Sequence, residues 1–274
     1  MKDTVSLNIS RFRKERKLTQ EDLSKHLNIS YQAVSKWENG LSKPDISLLP
    51  ALASMLNVSI DQLMGYSHNF DTPSYYEEEY RGDDYFWGIQ PSSMCLKVLE
   101  LMPPTRPLSL LDIGCGEGKD AVFFARCGYQ VSAFDISQAG IEKTKRLAAK
   151  ARVDVDVFRA NVWDFRLEKE YDILYSSGVL HYIKPDLRQE IFRNYKKFTA
   201  RGGLNALHCF LKKPFIEEAP DKERAANLWK SGELLTFYHD WQIEESREYI
   251  FDCHSSGVKH RHAANRMYAR KIMD

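Results

Sequence analysis

Cysteine is scarce in this chain: five in 274 residues, none of them in a CxxC pair. That odd count argues against a disulfide framework and against a cysteine zinc site. Long apolar runs are missing too. None reaches the length a bilayer crossing needs, and no signal-peptide core follows the first charges. No membrane partner is expected, and a reducing cytoplasm is the simplest compartment. An excess of one charge is also lacking. The net charge is +1, so any nucleic-acid surface must be local rather than a property of the whole chain. There is no internal repeat and no low-complexity tract. What remains is an ordinary globular composition, 43% hydrophobic and 28% charged, enough for one large domain and a small one.

Composition divides the chain into three regions. Residues 1–65 read as helical throughout, with apolar residues at helical spacing (Leu23, Leu27; Leu49, Leu52, Leu56) and breaks at 28–30, 40–44 and 57–59. Residues 66–87 set Arg81 against Asp71, Glu77, Glu78, Glu79, Asp83 and Asp84. This reads as an acidic linker, but its aromatics are dense enough for part of it to pack on the C-terminal region. Residues 88–274 alternate strand and helix patterns. "LSLLDIG", "YQVSAFD", "VDVDVF", "YDILYSS" and "GLNALHCF" read as strands, with helices around 118–127, 137–151 and 186–199. That order predicts a mostly parallel sheet with crossover helices. The last two strand candidates, 241–252 and 258–272, have no helix between them and should pair antiparallel.

"LDIGCGEGKD" (111–120) follows the first of these strands. A phosphate loop of the Walker A kind needs four residues between its glycines and a hydroxyl after the lysine. Here three residues separate Gly114 from Gly118, and Asp120 follows Lys119. A dinucleotide fingerprint is GxGxxG, and this run is one residue short. S-adenosylmethionine has no phosphate. It needs a tight turn that its methionine part can approach, and acids near its ammonium and sulfonium. Gly114, Gly116 and Gly118, with Cys115 among them, supply the turn; Asp112 and Glu117 supply the charge. Asp135, followed by Ile136, ends the next strand where an acid accepts from ribose hydroxyls. Asn161, beside Val162, stands after the third strand, where an amide can read adenine. A plain strand-to-helix turn is the bland alternative.

These residues resemble the Rossmann-like, class I S-adenosylmethionine-dependent methyltransferases over about residues 75–274. "FTARGGLNAL" is similar to the glycine turn that family carries before its fifth strand, with Arg201 in place of the usual proline. The family's acid at the adenine loop is Asn161 here. "WKSGELLTFYHDW" and "NRMYARK" resemble the tellurite-resistance (TehB-like) subfamily. The resemblance implies an α/β Rossmann-like fold with a mostly parallel sheet and antiparallel last strand, S-adenosylmethionine as cofactor and a small-molecule methyl acceptor.

The N-terminal "TQEDLSKHLNISYQAVSKWENG" divides into helix, turn and helix. Leu23, Leu27, Val34 and Trp37 can pack together, and Ser30 can cap the second of these helices. That helix then presents Tyr31, Gln32, Ser35, Lys36 and Asn39, groups suited to base edges and phosphates. Arg11, Arg13, Lys14, Arg16 and Lys17 add local positive charge. Residues 5–65 resemble the Cro/C1-type (XRE) helix-turn-helix family, including a glutamine at the head of its second helix, Gln20. The resemblance implies a small all-α domain that reads double-stranded DNA in the major groove as a two-fold homodimer. A helical module for protein contact is the alternative.

Other candidates are fewer. Ser176, Ser177 and His181 follow the fourth strand at the pocket edge; His181 is either a general base or a lining residue. Trp87 and Tyr85 either form a lid or pack the linker on the core. His260 and His262 would share one strand face. Without a cysteine or carboxylate at ligand spacing they predict no metal centre. Arg261 is a candidate for binding an oxyanion acceptor. The expected protein joins a DNA-binding domain to a methyltransferase that acts on tellurite, selenite or a thiol. The alternative is a regulator whose second domain senses S-adenosylmethionine without turnover.

Overall fold

The computed structural model describes residues 4–64, 74–217, 219–220, 227–254 and 257–272. The chain divides into two compact units, Met1–Thr72 and Pro73–Asp274. Among the described residues no helix is long and apolar enough to cross a membrane.

The first unit is built from α1 (Thr4–Glu15), α2 (Gln20–His26), α3 (Tyr31–Glu38), α4 (Leu49–Leu56) and α5 (Ile60–Met64). Local chemistry sets its helix ends. Thr19 and Asp22 form a reciprocal capping box at the start of α2, and the Ser30 hydroxyl accepts from the Ala33 N–H to start α3. Asn57 closes α4 in the left-handed conformation. Ile9, Leu23, Leu27, Val34, Trp37, Leu52 and Leu56 make the core, with Ala33 packed against it.

The second unit holds a seven-stranded sheet: β1 (Ser109–Ile113), β2 (Gln130–Asp135), β3 (Val155–Arg159), β4 (Tyr171–Ser177), β5 (Thr199–Leu211), β6 (Gln242–Cys253) and β7 (His260–Arg270). Its order is β3-β2-β1-β4-β5-β7-β6. The first five strands run parallel, and β7 is antiparallel to both β5 and β6. The helices are α6 (Glu77–Arg81), α7 (Ser93–Leu101), α8 (Lys119–Arg126), α9 (Gln138–Ala151), α10 (Pro185–Lys197) and α11 (Glu233–Thr236). Alternation along the strands divides the core. Leu111, Leu174, Leu207 and Met267 join one buried cluster, while Leu110, Ile173, Ala206 and Tyr268 join the other.

Of the expected linker, residues 66–73 lie outside the described residues. Residues 74–87 fall in the second unit, where α6 packs on α9 and Tyr80 is buried.

Candidate active site

The strand order reverses between β1 and β4, and the crevice beyond the C-terminal ends of such strands is where open α/β sheets bind ligands. The glycine turn stands there, between β1 and α8. Gly114 and Cys115 both donate their N–H to the Phe134 carbonyl at 2.9 Å, latching the turn to β2. Gly114 has φ +73°, and a Cβ there would come 2.2 Å from a methyl of Val179. Gly116 has φ +56°, with the Tyr80 hydroxyl 3.0 Å from where its Cβ would be. Neither position admits another residue without strain.

Two acids flank this turn. Asp135 accepts from the Gly116 N–H at 2.8 Å and the Ser137 N–H at 2.9 Å. Burial pushes its pKa up, and these backbone donors only partly offset that. Its carboxylate therefore braces the turn, with lone pairs left for a ligand. Asp112 is 2% exposed, and its Oδ2 has no hydrogen-bond partner. Burial, reinforced by the nearby Asp120, holds its pKa far above the usual carboxylate range. A buried acid with one unpartnered oxygen beside a tight glycine turn fits the ammonium end of S-adenosylmethionine.

Several expected ligands have other work. Glu117, read from sequence as cofactor charge, is buried against Lys143 at 2.7 Å. It also accepts from the Phe86 and Trp87 N–H groups at 3.1 and 3.2 Å, and Lys143 donates to the Asp84 carbonyl. A buried carboxylate needs a counter-charge, and this one finds it in α9. Glu117 and Lys143 thereby clasp residues 84–87 to the turn. The Trp87 indole donates to the Tyr80 hydroxyl at 3.0 Å, and Trp87 packs edge-on to Tyr76 and Phe86. Tyr85 reaches the Lys143 carbonyl.

Ser176 donates its hydroxyl to the Ile113 carbonyl at 3.2 Å, pinning β4 to the end of β1. Cys115 is buried in the core, where desolvation raises its thiol pKa. Asn161 spends one lone pair of its Oδ1 on the Trp163 N–H at 3.0 Å, so the carbonyl expected to meet adenine is partly engaged. Ile136 is half-buried with its carbonyl held by Arg159, and Val162 is buried.

A second group of rings lies on the far strands. His181 follows β4 in a short turn of 3-10 helix and is 3% exposed. Its ring stacks on Phe210 of β5 at 4.4 Å, and Phe210 stacks on His262 of β7 at 4.8 Å. His208 shares the Phe210 face and meets the Tyr249 hydroxyl at 3.1 Å. Burial, with His208 and His262 nearby, pushes the His181 pKa down to about 3. Burial and Arg266 hold His208 at about 4. Both rings are neutral at physiological pH, and at such pKa values each is a poor proton acceptor.

Arg261 is exposed, and alternation turns it to the face opposite His260 and His262. The arginine on the Phe210 face is Arg266, paired across β5 with His208 and hydrogen-bonded to Ser93 of α7 at 3.1 Å. Arg261 and Arg266 thus stand on opposite faces of β7, and alternation read from sequence does not say which of them shares the Phe210 face. His208, Phe210, Tyr249 and Tyr80, which gather here and at the glycine turn, carry no local sequence motif.

In the first unit Tyr31, Gln32, Lys36 and Asn39 are exposed on or at the end of α3, and Ser35 is half-buried. Ser30 is exposed and engaged as the helix cap. Gln20 differs from expectation: its amide donates to Glu38 at 2.8 Å, which draws it toward the interior of the unit.

A family model described as tellurite resistance protein TehB matches residues 77–270. The chain belongs to the TehB family. Its second unit is a methyltransferase domain of the TehB type, and S-adenosylmethionine is the cofactor of such domains. The probable S-adenosyl-L-methionine-dependent methyltransferase TehB of Haemophilus influenzae is 22% identical over 150 residues, 55% of this chain and 51% of that protein. Hemagglutinin 1 of Eikenella corrodens is 25% identical over 167 residues, 60% of this chain and 54% of that protein. The chain thus spans about half the length of the curated relatives it matches. The crystal structure of TehB from Haemophilus influenzae superposes with a TM-score of 0.59 at 20% identity, covering 72% of this chain and 66% of that one. Residues 9–63 match a helix-turn-helix family model, so the TehB domain here is joined to a helix-turn-helix domain.

Proposed function

We propose that this TehB-family chain transfers the methyl group of S-adenosylmethionine to a small soft anion, a thiolate or a reduced tellurium or selenium oxyanion. The observation that carries the reading is the buried Asp112 acid with its unpartnered Oδ2 at the glycine turn, taken together with the neutral rings of His181 and His208. The cofactor supplies a methyl on a sulfonium, already a good leaving group.

Asp112 holds the ammonium end, and Gly114, Gly116 and Gly118 let it approach the backbone. Asp135 accepts from the ribose with the lone pairs its backbone donors leave. Asn161, Ile136 and Val162 border the adenine. On the acceptor side, His181 and His208 stay neutral and accept or donate single hydrogen bonds rather than take a proton. Catalysis then rests on alignment and exclusion of water, and an acceptor that arrives already deprotonated suits such rings. Incubating the full chain with labelled cofactor and a panel of thiols, tellurite and selenite should release S-adenosylhomocysteine in sustained turnover. Tight cofactor binding without release from any acceptor favours a sensor instead.

The first unit is proposed to bind double-stranded DNA as a two-fold dimer through the exposed face of α3. Gln32→Ala is expected to relax base preference at one position. Lys36→Ala should weaken binding to every sequence and reduce the salt slope by about one. Gel shifts at several salt concentrations check both. Equal loss on all duplexes from Gln32→Ala would remove it from base reading.

A further inference from the structure

The β6–β7 register joins residues that the sequence holds apart. Cys253 pairs directly with His260, and Phe251 with His262. Residues opposite each other across an antiparallel pair share a face, and so do His260 and His262 two positions apart. Among the described residues, Cys253, His260 and His262 are a group whose ligand atoms all lie within 4.8 Å of one another. All three are half-buried. The expectation of no metal centre rested on the lack of a cysteine at ligand spacing. The hairpin provides one through its register.

The two rings are set for chelation. His260 Nδ1 donates to the Val258 carbonyl at 2.7 Å, since a carbonyl only accepts. That bond fixes the tautomer and makes Nε2 the acceptor nitrogen of the ring, as behind metal-bound histidines. His262 Nε2 donates to His260 Nε2 at 2.9 Å, so a cation taking both nitrogens replaces that shared proton, which moves to His262 Nδ1. The His262 ring is held by its stack on Phe210. Zinc binds nitrogen at about 2.0–2.1 Å and sulfur at about 2.3 Å in a tetrahedron, so its ligand atoms stand roughly 3.3–3.7 Å apart. Small side-chain torsions widen the 2.9 Å His260–His262 edge and close the longer edges to that size. One thiolate with two imidazoles is a donor set for zinc-like cations rather than magnesium or calcium.

We propose that Cys253, His260 and His262 bind one thiophilic divalent cation of the zinc class, leaving its fourth position to water or a soft anion. The site lies on the Phe210 face, in line with the His181–Phe210–His262 stack. It does not depend on methyl transfer, and its test reads the metal alone.

The full chain, stripped by chelator, is titrated with Co²⁺ and then with Zn²⁺. The expected result is one Co²⁺ per chain with a sulfur-to-cobalt charge-transfer band, which Zn²⁺ removes by displacement. Cys253→Ser should abolish the band, and Cys127→Ser should keep it. His262→Ala should weaken Zn²⁺ binding at least tenfold while circular dichroism stays that of the parent chain. If His262→Ala perturbs the fold, His262→Gln serves in its place. A Co²⁺ complex without the band, a band that survives Cys253→Ser, or unchanged affinity in both His262 variants overturns the proposal.

Discussion

Asp112→Asn should make the free protein more stable and its cofactor complex weaker. In the free chain the carboxylate is buried, with Asp120 and Asp135 nearby and one oxygen unpartnered. The amide keeps an acceptor for the Ala121 N–H, which Asp112 uses, and discards the buried charge. A gain of about 1 kcal/mol would move Tm by roughly 2–4 °C in a domain of this size. The cofactor ammonium would meanwhile lose a charged partner. Hydrogen bonds to charged groups are worth about 1.5–3 kcal/mol, or roughly ten- to a hundredfold in Kd. Calorimetric titration with S-adenosylmethionine and thermal unfolding of the free chain read the two effects separately.

The pH dependence carries its own sign. A carboxyl whose folded pKa is raised leaves stability intact below its ordinary value, 3.8, and loses it as pH rises toward the folded pKa. The two proteins should therefore unfold alike in acid, and the gap in Tm should open as pH rises. A variant that is less stable at neutral pH and binds the cofactor normally would mean that Asp112 serves the fold alone.

The parts of this molecule that were legible in the sequence are the local ones. Glycines in "LDIGCGEG" sit between an apolar strand and a helix, so the turn and its strand could be read within ten residues. Thr19, Asp22 and Ser30 announce helix starts by the same short-range chemistry. The antiparallel end of the sheet followed from the missing helix between two strand patterns. What stayed hidden depends on partners far along the chain. Glu117 is claimed by residues thirty positions earlier. Gln20 is drawn in by Glu38, eighteen positions on. The sequence left His181 as either a base or a lining residue, because it does not reveal that burial beside His208 and His262 lowers its pKa. Cys253 and His260 meet only through the β6–β7 register, and a one-residue slip would place them on opposite faces.

Arg13→Ala should unfold much of the first unit. Arg13 near the end of α1 forks onto Glu38 at the end of α3, with Nε to Oε1 at 2.6 Å and Nη2 to Oε2 at 2.9 Å. Its third nitrogen donates to the Leu18 carbonyl at 2.7 Å, tying in the turn before α2. The side chains are only 11% and 6% exposed. Burial alone would raise the Glu38 pKa, but bonds from Arg13 and Gln20 outweigh it and hold the pKa below its ordinary 4.5. Removing the arginine strands that charge, and breaking a buried pair from one side costs about 3–5 kcal/mol. A core in a unit this small rarely supplies more than about 3–5 kcal/mol in total. Hydrogen exchange on the full chain should show protection lost across residues 4–64. The double variant Arg13→Met, Glu38→Leu should recover most of it, because two apolar side chains leave no stranded charge. In the parent chain the pair's contribution is present above pH 4.5 and lost as pH falls through the depressed Glu38 pKa, so the first unit should loosen in acid. If Arg13→Ala leaves protection over residues 4–64 unchanged, water reaches Glu38 freely and the fork does not hold α1 to α3.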